Sequence, residues 1–158
     1  MKREILFRGK LSHSDKWIEG NLLIANNDKP YIIPSAVLEP DGHHLRIDSD
    51  SAYWIIPETI GQFTGLTDKK GVKIFEGDVV RWSFGQHYWE AVISSIENNK
   101  SNTLYAIETF HNCTKDEEGY YTYERSDSRR GTRNDIEFMS KRIEVIGTIH
   151  DNPELINK

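Results

Sequence analysis

Apolar and polar residues alternate along much of the chain, and turn-forming residues interrupt the alternation about every ten residues. After Gly77 the alternation is clearest: Val80 and Trp82 fall on one side of the chain, and Val79 and Arg81 fall on the other. A period of two residues is typical of a half-buried β-strand. No window of useful length has the period of an amphipathic helix, so the pattern predicts an all-β fold with minor α content.

The runs between these interruptions define the predicted elements. Strands are predicted at 4–11, 17–25, 31–33, 45–48, 52–56, 88–96, 103–113 and 141–150, and on both sides of Gly71. Brief helical turns are predicted at 35–38 and after Asn152, where a capping side chain precedes Pro153 and Glu154. Residues 135–140 fit either a helical turn or the end of a strand.

The stretch 57–82 carries the clearest turn chemistry. Residues 67–71 are polar and end in Gly71, which predicts a tight connection between two strands and a positive φ at this glycine. Gly77 and Asp78 interrupt the next strand, and a glycine inside a strand pattern indicates a bulge or a bend. A strand, a sharp Gly-Asp bend and a second strand are typical of SH3-like barrels. We therefore expect a small SH3-like or partly open β-barrel core.

This stretch resembles the central motif of the YopX family of phage and prophage proteins. The family pattern is G-x-x-T-G-L-x-D-x-x-G-x-x-I-[YF]-E-G-D-I-V. The matching residues are Gly61, Thr64, Gly65, Leu66, Asp68, Gly71, Ile74, Phe75, Glu76, Gly77, Asp78, Val79 and Val80. The resemblance implies a phage or prophage accessory protein, and it assigns no activity because the family has none that is settled.

Both ends of the chain extend the resemblance. Residues 143–156, IEVIGTIHDNPELI, are similar to the closing pattern E-V-I-G-N-I-[YH]-x-N-P-E-L-L and depart from it at Thr148. Residues 7–10 and 17–20 fit the longer family members, whereas 88–142 is covered loosely.

The length of 158 residues fits one domain, 1–158, and a chain of this size buries a core without disulfides or metal. Within it we expect two lobes. An N-terminal β-hairpin lobe would cover 1–56, and the barrel-like core would cover 57–158. The polar segment 114–134 is predicted to be a long loop or a protruding hairpin of that core.

Composition and charge limit the cellular compartment and the kinds of partner that we expect. Cys113 is the single cysteine and cannot form an internal disulfide, and no signal-peptide pattern opens the chain; both suit a bacterial host cytoplasm. The longest apolar run, 52–56, is too short for a bilayer, so no membrane partner is expected. A formal net charge of −5 disfavours a generic nucleic-acid binder.

One segment nevertheless combines aromatic and basic residues. The candidate contacts to nucleic acid or a protein partner are Tyr120, Tyr121, Tyr123, Arg125, Arg129, Arg130 and Arg133. Aromatic rings beside arginines stack on bases and neutralise phosphates. Acids alternate with these bases, however, and would repel a phosphate backbone. We favour a solvated loop over a nucleic-acid site.

The histidines and the cysteine are the candidate metal ligands. His111 and Cys113 share a strand face, and further candidates are His43, His44, His87 and His150. A closed zinc site usually has paired ligands at short spacings in two places, and this pattern is missing from the sequence. We therefore predict no metal and no cofactor.

The acids inside the family motifs are Glu58, Glu76, Asp78, Asp151 and Glu154. Two close carboxylates could act as an acid and base pair. No nucleophile or phosphate-binding glycine loop accompanies them, so we favour structural roles, with Asp78 accepting backbone hydrogen bonds at a bend. The predicted structural motif residues are Gly61, Gly65, Gly71, Gly77, Asp78, Gly147, Asn152 and Pro153.

The tryptophans Trp17, Trp54, Trp82 and Trp89 fit either the core or a sheet face, and an exposed row of them would mark a partner surface. Three functions remain open. The first is a non-enzymatic protein-interaction module that binds a protein partner or self-assembles into a homo-oligomer through exposed strand edges. The second is a nucleic-acid-binding module that uses the Tyr120 to Arg133 segment. The third and least favoured is a small metal-dependent hydrolase.

Overall fold

A computed structural model of the chain describes residues 4–34, 37–38, 45–46, 49–84, 87–95, 105–115, 121–124 and 140–156. The strands are β1 (Phe7–Lys10), β2 (Trp17–Ile24), β3 (Pro30–Ile33), β4 (Val37–Leu38), β5 (Leu45–Arg46), β6 (Tyr53–Trp54), β7 (Gly61–Thr67), β8 (Lys73–Phe75), β9 (Asp78–Phe84), β10 (His87–Ser95), β11 (Tyr105–Lys115), β12 (Tyr121–Glu124) and β13 (Glu144–Thr148). Short 3-10 helices cover Ser49–Ser51, Pro57–Thr59 and Pro153–Leu155. The all-β prediction is confirmed.

The paired strands run antiparallel in two main sheets. The first has the order β6-β3-β2-β1-β7-β8, the second has the order β12-β11-β10-β9-β13, and β4-β5 form a two-stranded ribbon. A single bridge joins Leu11, just after β1, to Ile55, just after β6. One bridge is not a continuous ladder, so the described strands form open sheets and no closed barrel.

The chain divides into two compact units, unit 1 (Met1–Phe63) and unit 2 (Thr64–Lys158). The boundary falls inside β7, whereas the expected lobes divide at residue 57. In unit 1, the buried residues Leu11, Ile32 and Ile55 form the core. Gly9 is necessary there, because a Cβ at this position would lie 3.3 Å from Ile32 Cδ1 and would collide with the Ile55 side chain.

The core of unit 2 includes the face of β9 that carries Val80 and Trp82. Val80 is fully buried with Ala91 and Ile143, and Trp82 packs against this cluster. Val79, on the opposite side of the same strand, is also fully buried. Strand β9 is therefore covered on both faces at its start, and on one face only where Arg81 reaches partial exposure.

One local prediction is wrong, and others fall partly on residues outside the description. The helical turn predicted at 35–38 is wrong for Val37–Leu38, which pairs with Leu45–Arg46; the cross-strand partner satisfies a backbone that the local pattern assigned to a turn. Residues 35, 36 and 135–139 lie outside the described residues. Within the segment 114–134, β12 pairs with β11, and residues 116–120 and 125–134 lie outside the description.

Candidate functional site

The turn between β7 and β8 is organised by one carboxylate. Asp68 is only 5% exposed. Its Oδ1 accepts hydrogen bonds from the backbone N–H groups of Lys70 at 2.7 Å and Val72 at 2.9 Å. Its Oδ2 accepts one from Val145 N at 3.0 Å, which links the turn to β13. Gly71 has φ of 84°, as the turn pattern predicted.

These hydrogen bonds determine the charge state of the carboxylate. Burial alone would raise the pKa of Asp68, because it disfavours the charged form. The backbone N–H groups of Val145, Val72 and Lys70 together outweigh burial and hold the pKa below its ordinary value. Asp68 is therefore an ionised structural group at neutral pH.

A second carboxylate holds the same turn from β13. Glu144 makes ion pairs with Lys69 at 2.8 Å and Lys70 at 2.5 Å. The hydrogen bonds from Lys69 and then Lys70 lower the pKa of Glu144 to about 2. The hydrogen bond to Glu144 in turn raises the pKa of Lys70. Lys69 N also donates to Ile143 O at 3.1 Å, so backbone and side chains join the turn to β13.

The Gly77–Asp78 bend is closed by backbone hydrogen bonds, as predicted. Gly77 has φ of 79°. Asp78 is fully buried, and its Oδ2 accepts a hydrogen bond from Phe75 N at 2.7 Å. Gly77 N donates to Ile93 O at 2.8 Å, and Gly77 O accepts from Ile149 N at 2.9 Å. The carboxylate thus serves the backbone at the bend.

The closing motif behaves differently from the prediction. Pro153 opens a 3-10 helix as expected, but the Asn152 side chain does not cap it. Instead Asn152 Oδ1 accepts from Thr148 N at 3.3 Å, and Asn152 N donates to Thr148 O at 2.9 Å. Gly147 leaves room for this amide, because a Cβ there would lie 2.8 Å from Asn152 Cγ. The capping prediction is wrong because the nearer backbone of β13 takes the side chain.

A charged pair that the sequence reasoning missed lies on the β9–β10 hairpin. Glu90 is fully buried, and its Oε1 accepts hydrogen bonds from Arg81 Nε at 3.0 Å and from the Arg81 terminal nitrogen Nη2. The guanidinium also stacks over Tyr88, with Cζ 4.8 Å from the ring centroid. Arg81 and Glu90 are direct cross-strand neighbours. Their pairing depends on the register of the hairpin, which the sequence analysis did not assign.

Unit 1 carries an apolar row on the outer face of its sheet. Leu23 lies opposite Tyr31, and Tyr31 lies opposite Trp54, so the three side chains project from the same face of adjacent strands. Leu23 is 42% exposed and Trp54 is 44% exposed. The Lys29 ammonium lies 4.2 Å from the centroid of the Trp54 ring. We call Leu23, Tyr31, Trp54 and Lys29 the outer patch.

The other tryptophans have different surroundings. Trp17 is half-buried beneath Arg8, whose Cζ lies 4.8 Å from the ring centroid. Trp82 packs against the core of unit 2. Trp89 lies on β10, and its side chain is outside the description. Of the two interpretations of the tryptophans, core fits Trp82 and an exposed sheet face fits Trp54.

The predicted Tyr/Arg segment remains a prediction. Tyr120, Arg125, Arg129, Arg130 and Arg133 lie outside the described residues, and for Tyr121 and Tyr123 the description covers the backbone of β12 alone.

The histidines and motif acids are only partly described. His43 and His44 lie outside the description, and His87, His111 and Cys113 are placed on strands without described side chains. In the described part of the chain, no group of three or more His, Cys, Asp or Glu side chains is arranged to hold a metal ion. Of the motif acids, Asp78 is buried, Glu76 is half-buried, and Glu58, Asp151 and Glu154 are exposed. None of the described helical segments has the length and hydrophobicity that a membrane crossing requires.

Fold and site together define an all-β protein of two units, in which motif carboxylates and amides bond to the backbone and an apolar patch lies exposed. The chain belongs to the YopX family: the family model described as YopX protein matches residues 6–157. The structure is similar to the crystal structure of protein EF1440 from Enterococcus faecalis, with a TM-score of 0.51 and 22% sequence identity over 98% of this chain and 99% of that one. At this identity the similarity concerns the fold alone. Among curated proteins, the comparison finds no match.

Proposed function

We propose that this chain is a non-enzymatic phage or prophage accessory protein that acts in the bacterial cytoplasm by binding a protein partner through the outer patch. The observation that carries the proposal is the exposure of Leu23 and Trp54 in one cross-strand row with Tyr31. Contiguous apolar side chains on a soluble surface mark interaction sites, whereas single exposed ones are ordinary.

The composition of the outer patch fits a binding hot spot. Tryptophan and tyrosine dominate the energy of protein interfaces, because their large rings bury much area with little loss of side-chain freedom. Lys29 adds a cation over the ring of Trp54. A partner segment with an apolar side chain beside a carboxylate would complement both groups.

The arrangement of the family motif supports the same proposal. Asp68 and Asp78 are buried, and each accepts backbone hydrogen bonds rather than facing an open site. Such carboxylates stabilise turns and are poorly placed to exchange protons with a substrate. The described residues therefore favour a function in binding through the outer patch over acid–base catalysis by these two carboxylates.

Site-specific photo-crosslinking in infected or lysogenic cells tests the proposal. The photoreactive residue p-benzoylphenylalanine replaces Leu23 in one variant and Val72 in a matched control, because Val72 is an exposed apolar residue of unit 2, at 47% exposure. We expect a discrete protein adduct from position 23 and none from position 72.

The same experiment includes a variant that removes the patch. Trp54→Ala combined with Lys29→Glu should abolish the adduct at position 23 while leaving the circular dichroism spectrum unchanged. An adduct that contains a second copy of the chain identifies a homo-oligomer contact. Equal adducts from positions 23 and 72, or an adduct that survives the combined Trp54→Ala, Lys29→Glu change, would refute the outer patch as the contact surface.

A nucleic-acid-binding module is the second candidate, and one observation favours it. In unit 1, Arg8 stacks on Trp17 and Lys29 stacks on Trp54, and rings paired with cations bind unpaired bases. The net charge of −5 opposes it. Titration with a labelled single strand at low salt, followed by tryptophan fluorescence, separates the two: salt-sensitive quenching that Trp54→Ala reduces would favour nucleic acid.

A further inference from the structure

Two consecutive residues at the end of β2 are exposed on opposite faces of the β2–β3 hairpin. Leu23 is 42% exposed and Ile24 is 55% exposed. Successive side chains of a strand project to opposite faces of a sheet, so Leu23 belongs to the outer patch and Ile24 to the other face. In the register of the hairpin, Leu23 lies opposite Tyr31 and Ile24 lies opposite Pro30. This end of the hairpin therefore presents apolar side chains on both faces.

The face that carries Ile24 continues the core of unit 1. On this face Leu22 and Ile18 are partly buried and pack against the core cluster. Ile24 lies two residues beyond Leu22 and is exposed. An apolar side chain of a partner that docks beside Ile24 would therefore pack at the end of an existing core, and the burial of Ile24 would stabilise the complex.

The turn that joins β2 to β3 holds the two faces in a fixed arrangement. The loop 26–28 is closed by hydrogen bonds from Ala25 N to Lys29 O at 3.0 Å and from Asp28 N to Ala25 O at 2.9 Å. Lys29 N also donates to Asn27 Oδ1 at 3.2 Å. Asp28 has φ of 62°, the left-handed conformation that commonly ends a three-residue hairpin loop. A partner that binds this turn would restrict little additional freedom.

We propose that the partner protein holds the end of the β2–β3 hairpin in an apolar groove, with one wall on the outer patch and the other on Ile24. The inference rests on the proposed function and adds the shape and chemistry of the partner surface. A flat partner surface would cover one face and leave the apolar side chain of the other in water. A carboxylate at the rim of the groove would pair with Lys29, whose ammonium lies over the Trp54 ring.

The polar loop at the tip of the hairpin distinguishes a protein groove from a lipid bilayer. Asn26, Asn27 and Asp28 are exposed, and they would be the first residues to enter a membrane. Burial of such groups in hydrocarbon without hydrogen-bond partners is unfavourable. In a groove that is open at its far end, the loop stays in water while Leu23 and Ile24 are covered.

Photo-crosslinking from both faces tests the inference. p-Benzoylphenylalanine replaces Leu23 in one variant and Ile24 in a second, and position 72 serves as the control. We expect positions 23 and 24 to give adducts with the same protein, and mass spectrometry should locate them in two different segments of it. An adduct at position 23 without one at position 24 would overturn the groove and leave the proposed function intact. Adducts at neither position would overturn both.

A substitution at Ile24 measures the second wall independently of a crosslink there. Ile24→Asp places a charge against the wall that faces Ile24, so it should reduce the adduct at position 23 at least about tenfold. The matched control, Val72→Asp, changes an exposed apolar residue of unit 2 and should leave that adduct unchanged. Circular dichroism verifies that both variants are folded. An adduct at position 23 that is unaffected by Ile24→Asp would refute the second wall.

Two variants of Lys29 test the carboxylate of the partner. Lys29→Arg keeps the cation and should retain the adduct at position 23. Lys29→Met keeps the apolar stem without the charge and should reduce the adduct about threefold, the effect of a partly exposed ion pair. Equal adducts from the two variants would contradict the carboxylate. An adduct with lipid or with a second copy of this chain would overturn the groove of a partner protein.

Discussion

In unit 1, Trp54 lies 44% exposed beneath a lysine, whereas in unit 2 Trp82 packs against the buried core. Two acidic residues of the family motif in unit 2 are also buried. Asp68 and Asp78 of unit 2 are buried in turns, where they accept backbone hydrogen bonds. Unit 2 therefore uses its polar motif residues for its own architecture, and unit 1 leaves apolar surface available for contacts.

This difference shows what the residues of the family motif do in the fold. Most of the central motif lies in unit 2, where its glycines and acids allow two tight turns. The outer patch of unit 1 lies outside both the central and the closing motifs. Searches for a partner surface should therefore begin with residues that the family motif does not contain.

The largest expected effect concerns the packing of unit 1. In Gly20→Ala, the new Cβ would lie 2.6 Å from Ile33 C and 2.8 Å from Pro34 Cα, both of which are backbone atoms. Because backbone cannot rotate away as a side chain does, we expect a loss of about 3 kcal/mol or more in the free energy of unfolding. Urea denaturation measures it.

A glycine of unit 2 provides the control for Gly20→Ala. At Gly71 a Cβ would meet nothing within 4 Å, and the cost arises only from its φ of +84°. We expect Gly71→Ala to lose about 1 kcal/mol. Equal losses at the two positions would contradict the contrast between close packing in unit 1 and backbone conformation in unit 2.

An intermediate effect is expected for the charged pair of unit 2. Arg81→Met keeps an apolar stem but leaves the buried Glu90 without its guanidinium. We expect a loss of about 2 kcal/mol, because a buried carboxylate loses a charge-assisted partner. Adding Glu90→Gln should recover part of this loss. A double variant that is less stable than Arg81→Met would argue against coupling between the two residues.

The smallest effect is expected from pH and concerns two carboxylates of unit 2. Asp68 and Glu144 of unit 2 have lowered pKa values, so the unfolded chain binds protons more tightly than the folded one. Their stabilisation is present above the ordinary Glu value of 4.5 and is lost as the pH falls towards the folded value of about 2 for Glu144.

Chemical denaturation at pH 5 and pH 2.5 measures this dependence. Glu144→Gln should show a smaller decrease in stability between the two pH values than wild type. High salt should reduce the Glu144 contribution further, since its ion pairs with Lys69 and Lys70 are partly exposed. An unchanged pH dependence in Glu144→Gln would exclude this carboxylate as a source.

The local turns were predictable because their causes lie within a few residues. Gly71 follows a polar run and takes the positive φ that the pattern required. Asp78 follows a glycine and accepts a hydrogen bond from a backbone group three residues earlier. The period of two along β9 likewise placed Val80 and Trp82 on one face, and the structure shows this face packed in the core.

The longer connections were not predictable from these patterns. The carboxylate of Asp68 meets Val145 from 77 positions away, and Asn152 turns to β13 rather than to the helix it precedes. The pairing of Arg81 with Glu90 depends on hairpin register, and a shift of one residue would move each side chain to the other face.

The amino-acid sequence alone determined the all-β class, the family resemblance and the sites of the tight turns. These features depend on local φ preferences and on side chains that alternate with a period of two. Tertiary structure alone decided that Leu23, Tyr31 and Trp54 form one row across three strands and that Asp68 and Asn152 bond to β13. Both outcomes require strand order and register, which are set by packing between residues distant in the chain.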